Sequence, residues 1–321
     1  MDPSPWSDSE FEQIQVLRDP EIGFLGFVVI HDTRLGPAFG GIRRWSYRSP
    51  EEALQDCLRL ARAMTLKCAI HGIRGGGGKA VILQQPGLDR LAAYRLLGHY
   101  LQHMGGRFYT GPDVGTEAAD LEAVASATEF VALPGKDGPG NLAEPTALGV
   151  FAGIGAVATR LGASSLADLT IAVEGLGEVG ARLARMLREA GARLLVADVH
   201  QDKATRLGQE LEAEVVDPGK IIGVQCDIDA PCAMGGVIRK DSLSALRARA
   251  VAGAANNVLA GLEQGDELHR RGIRYAPDFV INSGALVHGA LFHLEGQAPP
   301  AARIERIGQL VGEILDRSAA E

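Results

Sequence analysis

No stretch of this sequence is long and apolar enough to cross a bilayer: its longest uncharged apolar run, residues 147–158, falls far short of the ~20 residues required. A basic excess is missing as well. Lys and Arg number 32 against 40 Asp and Glu, a net charge of −8, which argues against a nucleic-acid binder because phosphate neutralisation needs clustered cations. The amino terminus, Met1-Asp2-Pro3-Ser4-Pro5-Trp6, has neither the basic nor the apolar region of a secretory signal, so export is not expected. Cysteine is scarce. The four residues Cys57, Cys68, Cys226 and Cys232 form no C-x-x-C pair and show no metal-ligand spacing with histidine, so free buried thiols, a cytoplasmic setting and no metal site are expected. Glycine, by contrast, is plentiful, 41 of 321 residues, and it clusters where a backbone must approach something closely. That length predicts two domains of ~150 residues, and 46% hydrophobic with 22% charged residues is the balance of a globular chain.

The first half alternates strand and helix signals. Residues 22–30 read as a buried strand. Ser49 then caps a helix that Pro50 opens, with Glu52 reaching back as a capping box, and Leu54, Cys57, Leu58, Ala61 and Met64 follow at helical spacing. Gly75-Gly76-Gly77-Gly78 reads as a loop leading into a strand at 79–83. A helix over 90–104 ends at Gly105-Gly106, a strand at 107–109 delivers Gly111-Pro112-Asp113, and Thr116 caps the next helix. Residues 135–141 are the expected domain junction, which divides the chain into 1–140 and 141–321. The second half opens with an apolar helix near 147–160. Strands at 169–174 and 193–198 then alternate with helices at 178–190 and 202–211. Later strand signals lie near 226–228, 248–252 and 273–275, and helices near 285–294 and 302–317. The fold class is therefore α/β: an N-terminal α/β domain followed by a doubly wound Rossmann domain.

Gly175-Leu176-Gly177-Glu178-Val179-Gly180 follows an apolar strand and opens a helix, the context that dinucleotide binding requires. Gly175 permits the tight turn, Gly177 lets backbone N–H groups approach the pyrophosphate, and Gly180 allows close helix–strand packing. Asp198 ends the following strand at the spacing expected of the carboxylate that binds the ribose hydroxyls. Such a carboxylate repels a 2′-phosphate, so NAD is expected rather than NADP.

In the first half Lys67 ends a helix, Lys79 follows the four glycines, and Asp113 sits in Gly-Pro-Asp at a strand end. Taken singly, the lysines read as surface charges and Asp113 as a turn residue. The glycine run implies close approach to a ligand or another strand. These segments resemble the glutamate/leucine/phenylalanine/valine dehydrogenase family, through His31-Asp32-Thr33-Arg34-Leu35-Gly36-Pro37-Ala38-Phe39-Gly40-Gly41, Arg62-Ala63-Met64-Thr65-Leu66-Lys67, Gly75-Gly76-Gly77-Gly78-Lys79 and Thr110-Gly111-Pro112-Asp113-Val114. Further on, Glu144-Pro145-Thr146-Ala147-Leu148-Gly149-Val150, Ala254-Ala255-Asn256-Asn257 and Tyr275-Ala276-Pro277-Asp278-Phe279-Val280-Ile281-Asn282-Ser283-Gly284 continue the likeness.

The resemblance implies reversible oxidative deamination of an L-amino acid to a 2-oxo acid and ammonia, with hydride transfer to NAD. It implies that Lys67 pairs the substrate carboxylate, helped by backbone at Gly40 and Gly41 and by the amide of Asn256 or Asn257. Lys79, its pKa depressed by burial and neighbouring charge, would polarise the 2-oxo carbon and activate water. Asp113 would be the general acid–base, and Thr146 would hold the nicotinamide carboxamide. A substrate/oligomerisation role for the first domain and a homo-oligomer of two or more chains also follow from the likeness. Relatives continue with a further helix beyond the one at 304–317, where this sequence stops. Arg74 stands where relatives carry an apolar or small residue.

The side-chain pocket maps by the same likeness to Phe39, Gly111, Leu286 and Gly289, with Met64 nearby. None carries a charge, which disfavours glutamate. The phenylalanine branch is the closest in motif, with leucine, valine and tryptophan as alternatives within the family. Domains flanking a cleft that closes on the substrate are expected for such chemistry. Two other functions compete: a shikimate- or folate-type dehydrogenase, and an NAD-binding regulator without turnover.

Overall fold

The computed structural model describes residues 10–133 and 138–320; of the expected junction, 135–137 lie outside them. The chain divides into two compact units, Met1–Gly140 with Gly289–Ala298, and Asn141–His288 with Pro299–Glu321. The short segment 289–298 groups with the first unit, whereas the sequence reading runs the second from 141 to 321.

The first unit contains β1 (Gln13–Asp19), β2 (Phe24–Asp32), β3 (Ala38–Trp45), α1 (Pro50–Ile70), β4 (Gly76–Leu83), α2 (Arg90–His103), β5 (Phe108–Pro112) and α3 (Ala118–Ala125). Its five strands form one sheet in the order β1-β2-β4-β3-β5. The first two pairings are antiparallel and the last two parallel. Alternate residues of a strand face opposite ways, so each face builds its own core. On one, α1 packs Leu54, Cys57 and Ala61 against Phe27, Val29 and Val81. On the other, Tyr94, Leu97 and Leu101 of α2 meet Val28, Ile30, Ile42, Ile82 and Phe108.

Three local expectations need correcting. Gly76, Gly77 and Gly78 are strand, not loop, and all are buried. A Cβ on Gly77 would lie 2.2 Å from both Ala61 O and Thr65 N of α1, and one on Gly76 1.6 Å from Asp32 O. The glycines are there so that a helix and a neighbouring strand can press directly on β4. Ser49 does cap α1, accepting from Glu52 N at 3.3 Å. Glu52, however, turns its carboxylate to the backbone N–H and guanidinium of Arg48 rather than to Ser49 N. Thr116 does not cap α3, since Glu117 occupies that position. The Thr116 hydroxyl instead donates to Ile42 O and accepts from Tyr94 Oη at 2.9 Å.

The second unit contains α4 (Ala143–Arg160), β6 (Thr170–Glu174), α5 (Glu178–Glu189), β7 (Arg193–Ala197), α6 (Gln201–Leu211), β8 (Glu214–Val215), β9 (Ile228–Pro231), α7 (Lys240–Ala245), β10 (Ala250–Val251), α8 (Leu262–Arg270), β11 (Arg274–Tyr275) and α9 (Asp278–Ile281). α10 (Gly284–Glu295) begins in this unit and ends in the first, and α11 (Ala301–Ala320) closes the chain. Six parallel strands run in the order β11-β10-β9-β6-β7-β8. Chain order reverses between β6 and β9, the switch point of a Rossmann sheet; in open α/β sheets ligands bind outside the carboxyl ends of the strands at such a point.

Candidate active site

Lys79 and Asp113 meet across a strand that belongs to neither. Lys79 is on β4, Asp113 just beyond β5, and β3 runs between them. The pairs Phe39–Gly77 and Ile42–Ala80 put Gly41 level with Lys79, and Gly41 pairs with Gly111 on the other side. Two strand spacings are roughly 10 Å, and the side chains close that gap by passing over Gly41, where no side chain stands. A Cβ there would lie 2.9 Å from the Cβ of Asp113. Lys79 Nζ consequently sits 2.6 Å from Asp113 Oδ2, with only 5% of Lys79 exposed. Gly40 faces the other way, and a Cβ on it would lie 1.8 Å from Gly78 O.

A third group joins this pair, Arg43, which sequence reasoning missed. Its Nε donates to the same Asp113 oxygen at 3.0 Å and its Nη1 to Asp56 Oδ2 at 2.9 Å. Asp56 also accepts from Tyr47 Oη at 2.8 Å and from Arg59. Burial alone pushes Asp113 up, but the Lys79 and Arg43 cations and the Val114 N–H outweigh it and hold the carboxyl below its usual range. Arg43 lies two residues beyond Gly41 on the same strand face, which is the signal that could have found it.

Lys67 lies half-buried in the last turn of α1. Phe39 is buried and stacks on Tyr109 with ring centroids 5.6 Å apart, and Tyr109 in turn meets Phe130 and His293. A Cβ on Gly111 would touch only Ala132 at 3.4 Å, and one on Gly289 would meet nothing within 4 Å. Leu286 is partly exposed, and Arg74 is exposed. Asn256 and Asn257 are both exposed, Asn257 in the left-handed region at φ 52°. The Asn256 amide oxygen accepts from the buried Asn282 at 2.7 Å, which leaves its –NH₂ to donate elsewhere.

In the second unit Gly175 has φ +91°, and a Cβ on it would lie 2.5 Å from Ala233 Cβ. A Cβ on Gly180 would strike Gly175 O at 1.9 Å, whereas Gly177 faces open space. Gly177 begins α5 with no side-chain cap, so the first-turn N–H groups stay available for an anion. Asp198 accepts from Leu176 N at 2.7 Å and His200 N at 2.8 Å, one on each oxygen. Each oxygen keeps a lone pair for a hydroxyl donor. Burial pushes this carboxyl up, and the two N–H donors bring it below its usual range. Thr146, in the first turn of α4, is buried and donates to Leu142 O at 2.8 Å. These features fit a dinucleotide: an open glycine at an uncapped helix start, and a fixed carboxylate after the next strand.

Beside the glycine turn lies an unforeseen acidic pair. Asp229 of β9 pairs in register with Ala172 of β6, and Glu174 lies two residues further along that face. Asp229 is 1% exposed and neither carboxylate oxygen finds a hydrogen-bond donor. Burial, with repulsion from Glu174, pushes its pKa up to about 7. Among the described residues no His, Cys, Asp and Glu cluster could hold a metal ion, and no helix is long and apolar enough to cross a membrane.

Comparison with known proteins bears on both units. Residues 11–130 match the profile of the Glu/Leu/Phe/Val dehydrogenase dimerisation domain, and residues 195–297 that of glutamate/leucine/phenylalanine/valine dehydrogenase. The chain is 44% identical over 285 residues to leucine dehydrogenase of Geobacillus stearothermophilus, covering 88% of this chain and 78% of that one. It is 41% identical over 291 residues to phenylalanine dehydrogenase of Bacillus thermotolerans, covering 88% and 76%. The crystal structure of L-tryptophan dehydrogenase from Nostoc punctiforme superposes with a TM-score of 0.82 at 35% identity, covering 97% of this chain and 91% of that one.

Proposed function

This chain belongs to the glutamate/leucine/phenylalanine/valine dehydrogenase family, pyridine-nucleotide enzymes acting on the CH–NH₂ group of amino acids, and we propose that it oxidises a large apolar L-amino acid, phenylalanine first, with NAD. The observation that carries the chemistry is the Lys79–Asp113 ion pair, drawn over Gly41 and braced by Arg43. Lys67 binds the substrate carboxylate, with backbone at Gly40 and Gly41 and an amide from Asn256 or Asn257. Asp113, kept anionic, takes the proton of the substrate ammonium. The bound nicotinamide supplies the hydride acceptor, held at Gly175, Gly177, Gly180, Asp198 and Thr146. Asp113 passes the ammonium proton to solvent. Lys79 then orients water against the resulting substrate imine, and Asp113 takes a water proton as the hydroxyl adds and gives it to the amino group; as ammonia leaves, the carbinolamine hydroxyl proton passes to Asp113.

Room for a large side chain is supported by Gly111 and Gly289, where an added Cβ would meet one methyl and nothing. The absence of a charge at Phe39, Gly111, Leu286 and Gly289 speaks against glutamate. NAD rather than NADP rests on the Asp198 carboxylate, which would repel a 2′-phosphate. A branched-chain substrate is the competing reading, favoured by the leucine dehydrogenase likeness. The match of the first unit to a dimerisation-domain profile supports a homo-oligomer. Four unpaired cysteines support a cytoplasmic setting.

The test is kcat/KM for phenylalanine, tryptophan, leucine, valine and glutamate with NAD and NADP. Phenylalanine with NAD is expected to lead, and Gly111→Ala to penalise the aromatic substrates most. Asp113→Asn and Lys79→Ala should each lower kcat by ~10²-fold or more, while Lys67→Ala acts mainly through KM. If valine leads and Gly111→Ala changes nothing, the pocket assignment falls. Near-normal kcat in Asp113→Asn removes that residue from the mechanism.

A further inference from the structure

In a chain of net charge −8, arginines gather at one place in the second unit. A cavity of about 480 Å³ is lined by Arg160, Arg247, Arg249, Arg271 and Arg274. Arg247, Arg249 and Arg274 come from the amino ends of β10 and β11, and Arg160 and Arg271 from the carboxyl ends of α4 and α8. The glycine turn after β6 is at the carboxyl ends of the same parallel strands. The cavity therefore opens at the opposite edge of the sheet from the nucleotide groups described above.

Three of the guanidinium groups are held in place. Arg160 Nε donates to Asp316 at 2.8 Å. Arg249 donates to Asp227 at 3.1 Å and to Leu161 O at 2.8 Å. Arg271 donates to the carbonyls of Leu243 and Leu246. Pairing with Asp316 and Asp227 and capping of carbonyls account for these three. They do not account for Arg247 and Arg274, whose side chains make no hydrogen bond or ion pair among the described residues; the Arg274 charge does help to lower the pKa of Asp316. Asp227 and Asp316 are the carboxylates bonded here, so five cations stand against two anions. Like charges brought this close repel, and an anionic ligand relieves the repulsion. Arginine suits phosphate in particular, because its planar fork donates two parallel hydrogen bonds to adjacent oxygens. The volume exceeds what one phosphate needs and falls in the range of small-molecule pockets.

We propose that this cavity binds a ligand carrying two or more linked phosphates. Three held arginines define the seat, and Arg247 and Arg274 supply guanidinium groups whose donors are left for the ligand. The phosphate chain could come from an inorganic polyphosphate or from a nucleoside di- or triphosphate, and the test separates these sources.

Calorimetric titrations of the intact enzyme, kept in saturating NAD so that the glycine turn is occupied, would use orthophosphate, pyrophosphate, tripolyphosphate and ATP at low salt. Pyrophosphate and tripolyphosphate are expected to bind at least tenfold more tightly than orthophosphate. ATP binding more tightly than tripolyphosphate would identify a nucleotide as the source, and equal binding a phosphate chain. The double variant Arg247→Ser/Arg274→Ser should weaken binding at least tenfold while leaving the KM for NAD and kcat unchanged, which also reports that it folds. Binding that survives the double substitution, or no linked phosphate binding better than orthophosphate, overturns the proposal.

Discussion

Arg43 and Lys79 donate to the same oxygen of Asp113, so the carboxylate is held by two cations of which only the lysine is placed in the chemistry. Arg43→Met removes one cation from a pocket that burial makes costly for charge, and Asp113 rises toward or above its ordinary pKa. The acid limb of kcat/KM, which reports ionised Asp113, should move up by roughly one pH unit, and a full pH profile checks it. Asp229 behaves in the opposite sense. Its folded pKa lies above the unfolded value, so the native state binds the extra proton as pH rises from about 4 to 7, and stability falls through that window. Asp229→Asn has no such slope. Its melting temperature should therefore gain on the parent between about pH 4 and pH 7, by several degrees on the scale of ~2–4 °C per kcal/mol. A constant difference across that range would show that Asp229 does not titrate there. Neighbouring glycines and the family likeness single out Lys79 and Asp113 in the sequence, and the structure pairs them. Arg43 and Asp229 were not legible, since each matters through a neighbour that only strand register supplies.

Among the elements, the glycines divide into those with no room and those with room to spare. Gly77→Ala would set a Cβ 2.2 Å from α1 backbone, and overpacking against backbone should cost about 1–3 kcal/mol or more. Gly155, within α4, has nothing within 4 Å of its Cβ position. Gly155→Ala should stabilise by about 0.5–1 kcal/mol through helix propensity. Thermal denaturation of the two variants should move in opposite directions. This contrast also explains what could be read in advance. The strand, glycine turn and helix from β6 through β7 were legible to within a residue or two, because apolar runs and the fingerprint mark them locally. β3 was missed. Its Gly40-Gly41 pair and Arg43-Arg44 break any alternation, and what makes it a strand is that β4 and β5 pair with it on either side. The glycines of β4 read as a loop in the sequence because their cause, the backbone of α1 and β2 packed against them, leaves no mark on the local pattern.

Two units of different sheet type share one chain, a mixed sheet in the first and an all-parallel sheet in the second. Strand–helix alternation and the fingerprint foretold the second; in the first, local signals gave an α/β domain but not β1 and β3, so its sheet order was not legible. If the nucleotide sits at the switch point between β6 and β9, NADH should slow amide hydrogen exchange most strongly in peptides spanning 175–180 and 198–200. At a hundredfold excess over Kd it should also add about 2.7 kcal/mol of stability. Exchange unchanged at 175–180 would move the cofactor elsewhere. The crossing of Lys79 and Asp113 over β3 has a consequence for how the molecule is made. Slipping β3 by one position against its neighbours inverts its faces, replacing the bare Gly41 gap with a buried aliphatic or leaving Arg43 on the wrong side. Such a chain could retain nearly all its helices and still be inert. After refolding, specific activity would then be a census of molecules whose third strand found its place, and circular dichroism would overcount them.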